Sequence, residues 1–202
     1  MGGEMPKEFE ACGVPVHERG ARTNEALEII RLLWSTDGAA FSGRFNSFEG
    51  VTIAPRRDHP PAIWVSGRSD AAMRRTARFG DGWLPYMYTP EMFADSMAQI
   101  GTTRQQDRPV QGGLFIWGCV HEDRATARKW AIDALSKTYA QDFSRLVGKY
   151  AFAGDPGDVI TRLREFADAG VRTLIASFAC PRDEMDAVRR LFAEEVLPAL
   201  KS

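Results

Sequence analysis

Apolar and polar positions follow two rhythms that take turns along the chain. Short apolar runs of strand length lie at 62–66, 82–86, 112–120 and 172–178. The third is the most apolar: Leu114 to Val120 has no charged residue, the pattern of a strand covered on both faces. Between these runs the apolar residues return at helical spacing. Over 69–79, Ala72, Met73, Thr76 and Ala77 can face inward, which leaves Arg74, Arg75 and Arg78 on the outer side. Thr89-Pro90-Glu91 starts a helix that fades near Gly101, with Thr89 as cap and Pro90 at the first helical position. Another begins near Arg124, with Ala127, Ala131 and Leu135 on one stripe. Asp155-Pro156 opens a fourth, striped by Val159, Leu163 and Phe166 and ended by Ala169-Gly170. A last amphipathic helix is predicted from about Asp183 to Leu197.

The stretch before this alternation reads differently. Residues 1–22 are predicted to be irregular, and a helix runs from about Thr23 to Trp34, capped by Thr23 and striped by Ala26, Ile30, Leu33 and Trp34. Residues 35–61 form a long connection, punctuated by Asp37-Gly38, Ser42-Gly43 and Glu49-Gly50 and anchored by Phe41, Phe45 and Phe48. Aromatics at that spacing predict a packed excursion or small hairpin rather than a free linker.

Strand–helix alternation implies a parallel sheet with right-handed crossovers, so the fold class is α/β. An open doubly wound sheet and a (β/α)8 barrel both satisfy the pattern, and four strands are few for either. The 202 residues suffice for one domain with a real core. A net charge of −1 gives no basic excess for nucleic acid, and no apolar run reaches membrane-spanning length. Cys12, Cys119 and Cys180 are far apart and lack metal-ligand spacing, which predicts reduced packing residues in a cytoplasmic protein. There is no clustered metal-ligand set, P-loop, G-x-G-x-x-G or G-x-S-x-G.

Ligands of parallel α/β folds bind at the C-terminal strand ends, and that rule ranks the candidates. The first end is Ser66-Gly67-Arg68-Ser69. Gly67 permits a sharp turn and close approach of an anion to the backbone, Ser69 can cap the next helix, and Arg68 adds a forked cation. A capped helix with a solvated Arg68 explains the same residues without a ligand. At the second end, Tyr86 and Tyr88 could flank a planar ligand or pack at the rim. At the third, His121 could donate a proton or simply begin the next helix beside Glu122 and Asp123. Gly80-Asp81-Gly82-Trp83 enters a strand and therefore belongs to the opposite face, which makes Asp81 a turn residue.

Several segments together resemble one family: Arg22-Thr23-Asn24-Glu25-Ala26 with Leu33-Trp34, Phe41-Ser42-Gly43-Arg44-Phe45, Pro61 through Ser69, and Arg74 through Pro85. The chain resembles the luciferase-like monooxygenases, and within them the F420-dependent oxidoreductases. Gly154-Asp155-Pro156 and Ala169-Gly170-Val171 are similar to the C-terminal part of that family. The resemblance implies a (β/α)8 TIM-barrel type, here an incomplete barrel in which the four strands are the fifth to eighth and 35–61 is an inserted excursion. It implies that Ser66, Gly67, Arg68 and Ser69 cradle the phosphate of F420 or FMN, with Tyr86 and His121 as weak catalytic candidates near a small organic substrate. One departure is visible: the family pattern has two glycines where this chain has Ser66-Gly67. An oxidoreductase or monooxygenase follows from the likeness, and a homo-oligomer from the open edges of a half-barrel. The competing expectation is a truncated, non-catalytic half-barrel that self-associates or pairs with a partner and at most binds a phosphate-bearing ligand.

Overall fold

A computed structural model of the protein describes residues 6–104 and 108–200. Among them, α1 (Pro6–Ala11) and a short 3-10 turn (Val16–Glu18) lead into α2 (Arg19–Ser35). The hairpin β1 (Ala39–Ser42) and β2 (Ser47–Val51) follows, paired antiparallel. Then come β3 (Trp64–Val65), α3 (Asp70–Phe79), β4 (Gly82–Trp83), α4 (Pro90–Thr103) and β5 (Gln111–Val120). The rest is α5 (Arg124–Tyr139), α6 (Val147–Tyr150), β6 (Ala151–Gly154), α7 (Pro156–Asp168) and β7 (Thr173–Phe178). The C-terminal helix runs through α8 (Met185–Leu191), a π-helical turn (Phe192–Val196) and α9 (Leu197–Leu200).

Strands β3 to β7 form one parallel sheet in which β5 is central. One edge of β5 carries β4 and, farther along, β6. Phe115 N–H donates to Pro85 O and His121 N–H to Gly154 O, both from odd positions. The other edge carries β7. The sheet does not close. Strand β6 was not anticipated: Ala151–Gly154 reads as the approach to a capped helix, and its pairing to β5 is a tertiary effect.

The helices cover one face of the sheet. Leu114, Ile116, Phe93, Leu135, Val159 and Phe166 are almost wholly buried there. Helix starts follow the local rules. Ser69, Thr89, Asp123 and Asp155 each accept a backbone N–H from their own first turn, and Pro90 and Pro156 occupy first-turn positions.

The N-terminal expectations need correction. Residues 6–22 are largely helical. Thr23 is not a cap: its hydroxyl donates to Arg19 O inside α2, at 2.7 Å. Nor does the stripe of Ala26, Ile30, Leu33 and Trp34 form a buried face; the buried residue of α2 is Glu25. Its carboxylate accepts the N–H groups of Arg44 and Phe45 and the side-chain amide of Asn46, clamping the hairpin turn onto the helix.

Candidate functional site

The turn after β3 sets the geometry. Gly67 has φ +124°, a conformation side chains rarely adopt, and a Cβ built there would lie 2.7 Å from the Cβ of Ala72. Only glycine fits without a shift. The carbonyl of Gly67 accepts the indole N–H of Trp83, which is fully buried on β4. Ser69 Oγ accepts from Ala72 N–H, so α3 starts with its N-terminus directed at the turn. The N–H groups of Asp70 and Ala71 lie in the first turn, where no intrahelical acceptor reaches them.

Around this turn the chain forms a cleft of about 1030 Å³. Ser66, Gly67, Arg68 and Ser69 line it together with His17, Arg19 and Arg75. Three arginines and a histidine therefore share the cleft with a helix N-terminus, an anion-favouring field. Arg75 departs from expectation. Instead of facing outward it lies against α2, donating from Nε to Asn24 Oδ1 at 2.6 Å and from Nη2 to Gly20 O at 3.2 Å. Burial lowers its pKa, but a guanidinium stays charged. Reasoning from strand ends missed Arg19 and His17 because they belong to a segment expected to be irregular.

The other candidates separate. Arg68 places its guanidinium over the ring of Tyr86, 5.1 Å from the centroid, which joins the first two strand ends. Tyr88 is buried and packs edge-on against Trp83. His121 lies elsewhere. Tyr86 bridges to Phe115 on β5, and His121 is six residues beyond Phe115, about 20 Å at strand rise. Its Nδ1 accepts the N–H of Asp123, and its ring meets Trp130 edge-on. Asp123 in turn caps α5, so His121 is part of a helix start. Asp81 is on the far face: Oδ2 accepts Ile63 N–H, and Arg31 and Arg108 pair with the carboxylate. Among the described residues no group of three or more His, Cys, Asp or Glu could hold a metal.

Sequence and structure comparisons agree with this architecture. The chain is 26% identical to an F420-dependent glucose-6-phosphate dehydrogenase of Microbacterium testaceum, over 91% of the chain and 62% of that protein. It therefore spans about 62% of the length of that curated relative. Its fold matches the monooxygenase RslO1 from Streptomyces bottropensis with a TM-score of 0.81 at 24% identity, covering 98% of this chain and 67% of that one. It also matches an F420-dependent secondary alcohol dehydrogenase at 0.77 and 17% identity, covering 93% and 63%. A sequence model of the luciferase-like monooxygenases matches residues 2–173. With the unclosed parallel sheet and its glycine turn, this match shows that the chain belongs to the luciferase-like monooxygenase family, as a (β/α)8-type fold whose barrel is incomplete.

Proposed function

We propose that this chain carries the phosphate-anchoring half of a luciferase-like oxidoreductase that works with F420 or FMN on a small organic substrate. One observation carries the reading. The Gly67 turn, a left-handed conformation where a side chain would collide with Ala72, brings bare backbone to the N-terminus of α3, inside a cleft lined by Arg19, Arg68 and Arg75. A phosphate fits there on backbone N–H groups, with Arg68 as the charged contact nearest the turn. When bound, the cofactor supplies hydride or oxygen-activating chemistry. The chain's own residues hold its phosphate, and Arg68 and Tyr86 form the adjoining rim. The names of relatives and fold neighbours, which span a sugar-phosphate dehydrogenase, an alcohol dehydrogenase and monooxygenases, support a small organic substrate.

The test is a fluorescence titration of the purified chain with F420 and with FMN, repeated on Gly67→Trp and Arg68→Ala. Gly67→Trp abolishes binding and Arg68→Ala weakens it about tenfold or more, the loss of one charged hydrogen-bond partner. Unchanged affinity in both variants would sink the phosphate assignment. Binding without turnover would favour the second reading, a non-catalytic half-barrel, which the unclosed sheet supports.

A further inference from the structure

The face of the sheet away from the helices is apolar and open. Trp64 is 36% exposed and Ile175 45%. The indole of Trp64 lies flat across two glycines: a Cβ on Gly82 would come within 2.4 Å of it and one on Gly113 within 2.5 Å. Leu84 meets the same side of Gly113. Parallel pairing puts Ile175 beside Phe115, and Phe115 beside Tyr86. Trp64, Leu84, Tyr86, Phe115 and Ile175 thus share one face, half-buried or exposed. Scattered exposed apolar residues mean little, but a contiguous set of this size across a sheet marks an interface.

Both ends of the sheet are open as well. Among the described residues β3 pairs only with β4, and β7 only with β5. Even positions of β5 face β7, as the bond from Ala179 N–H to Gly118 O shows. By the alternation of a parallel ladder, the backbone groups of Leu174 and Ala176 then point away from β5. Ile63 O and Val65 O bond toward β4, so Trp64 presents its N–H and C=O outward. Two parallel edges with unpaired backbone groups are a template for strand addition.

We infer that two copies of this chain pair around a two-fold axis, β7 of each against β3 of the other, to close an eight-stranded parallel barrel. The count fits. Strands β3, β4, β5 and β7 make four ring positions, while β6 shares an edge of β5 with β4. Twice four is the number at which side chains just fill a barrel interior. A two-fold axis along the barrel keeps all strands parallel and makes the two seams identical, an isologous arrangement. Trp64, Phe115 and Ile175 of both copies then form the interior layers. A second copy supplies both missing edges at once and needs no chemistry beyond what this chain shows. The inference does not depend on which cofactor binds at Gly67.

Sedimentation or light scattering on the purified chain gives the answer. A dimer is expected at roughly 100 μM, a concentration that populates even modest association. Ile175→Arg, at a position exposed in the single chain, raises the dissociation constant about tenfold or more by burying an unpaired cation at the seam. Val51→Arg, at an exposed apolar position on the hairpin, leaves it unchanged. Hydrogen exchange of the wild type supplies a readout free of folding artefacts: the amides of Trp64, Leu174 and Ala176 are protected at high concentration and exchange on dilution. A monomer at that concentration overturns the inference. So does a dimer indifferent to Ile175→Arg, or one whose edge amides exchange freely, because its interface lies on another face.

Discussion

Trp83 Nε1 donates to Gly67 O at 3.1 Å, tying the second strand of the sheet to the turn that follows the first. Trp83 closes the Gly80-Asp81-Gly82-Trp83 segment, and Asp81 of the same segment accepts Ile63 N–H at the other end of β3. The segment therefore braces β3 at both ends. Its aspartate holds the entry on one face of the fold, and its tryptophan holds the exit beside the candidate phosphate turn. Asp81 is thereby a bracing residue, bonded to Ile63 N–H and paired with Arg31 and Arg108.

Trp83→Phe keeps an aromatic ring against Tyr88 and Phe93 but removes the donor. Stability should fall by roughly 2–4 kcal/mol, because the smaller ring leaves a cavity at a fully buried site and strands the Gly67 carbonyl. Binding weakens as well, because Gly67 loses the contact that fixes its carbonyl and hence the turn. Urea melts combined with cofactor titration separate the two. Weaker binding at a temperature and urea concentration where the variant is still fully folded is the expected outcome, and full-strength binding would show that the turn holds its shape unaided.

Asp81→Ala should cost stability alone. It strips the acceptor from Ile63 N–H and the carboxylate from Arg31 and Arg108. The buried end of β3 then has an unsatisfied donor, a cost of roughly 1–3 kcal/mol. Cofactor affinity measured well below the melting temperature should stay within about twofold, since nothing at Gly67 touches Asp81. A selective loss of affinity would return Asp81 to the site.

Much of this was legible in the sequence because local physics decided it. The apolar run of β5, the caps Ser69, Thr89 and Asp155, and the prolines at helix starts are all short-range signals, and the structure follows them. One failure was local and the others were tertiary. Thr23 has the side chain of a cap, yet it sits in the second turn of α2 and donates back to Arg19 O, a bond that mid-helix threonines often make. Arg75 reads as solvent-facing by periodicity, but α2 brings Asn24 and Gly20 O within its reach. Glu25 is buried because the hairpin turn folds onto its carboxylate, a contact between segments that no local pattern announces. These misses hid half of the cleft, because Arg19 and Arg75 line it from the α2 side.

The three cysteines should differ sharply in reactivity. Burial pushes the Cys119 thiol up to about 12, and the neighbouring Cys180 adds to the shift. Cys180 is half-buried and is also raised, chiefly by burial, whereas Cys12 is exposed. Thiolate is the reactive form, so at pH 8 Cys119 offers almost none. Pulse alkylation followed by mass mapping should label Cys12 first, Cys180 slowly and Cys119 only after unfolding. Rapid labelling of Cys119 in the native protein would contradict its burial on β5.

Glu25 makes the attachment of the hairpin pH-dependent. Burial pushes its carboxyl up, but the hydrogen bonds from Asn46 Nδ2 and from the N–H groups of Phe45 and Arg44 outweigh that and hold it below the usual 4.5. A carboxyl whose folded value is depressed adds stability that is complete above its unfolded value and is lost as pH falls through the folded one. Glu25→Gln removes the charge and cannot accept as many bonds, so the variant should be less stable than wild type at neutral pH. The gap should narrow once the pH drops below the ordinary glutamate range and close when wild-type Glu25 is itself protonated. Paired urea midpoints from neutral pH down to about 3 trace this convergence. A gap of constant size across that range would mean that shape, rather than the carboxylate charge, joins α2 to the hairpin.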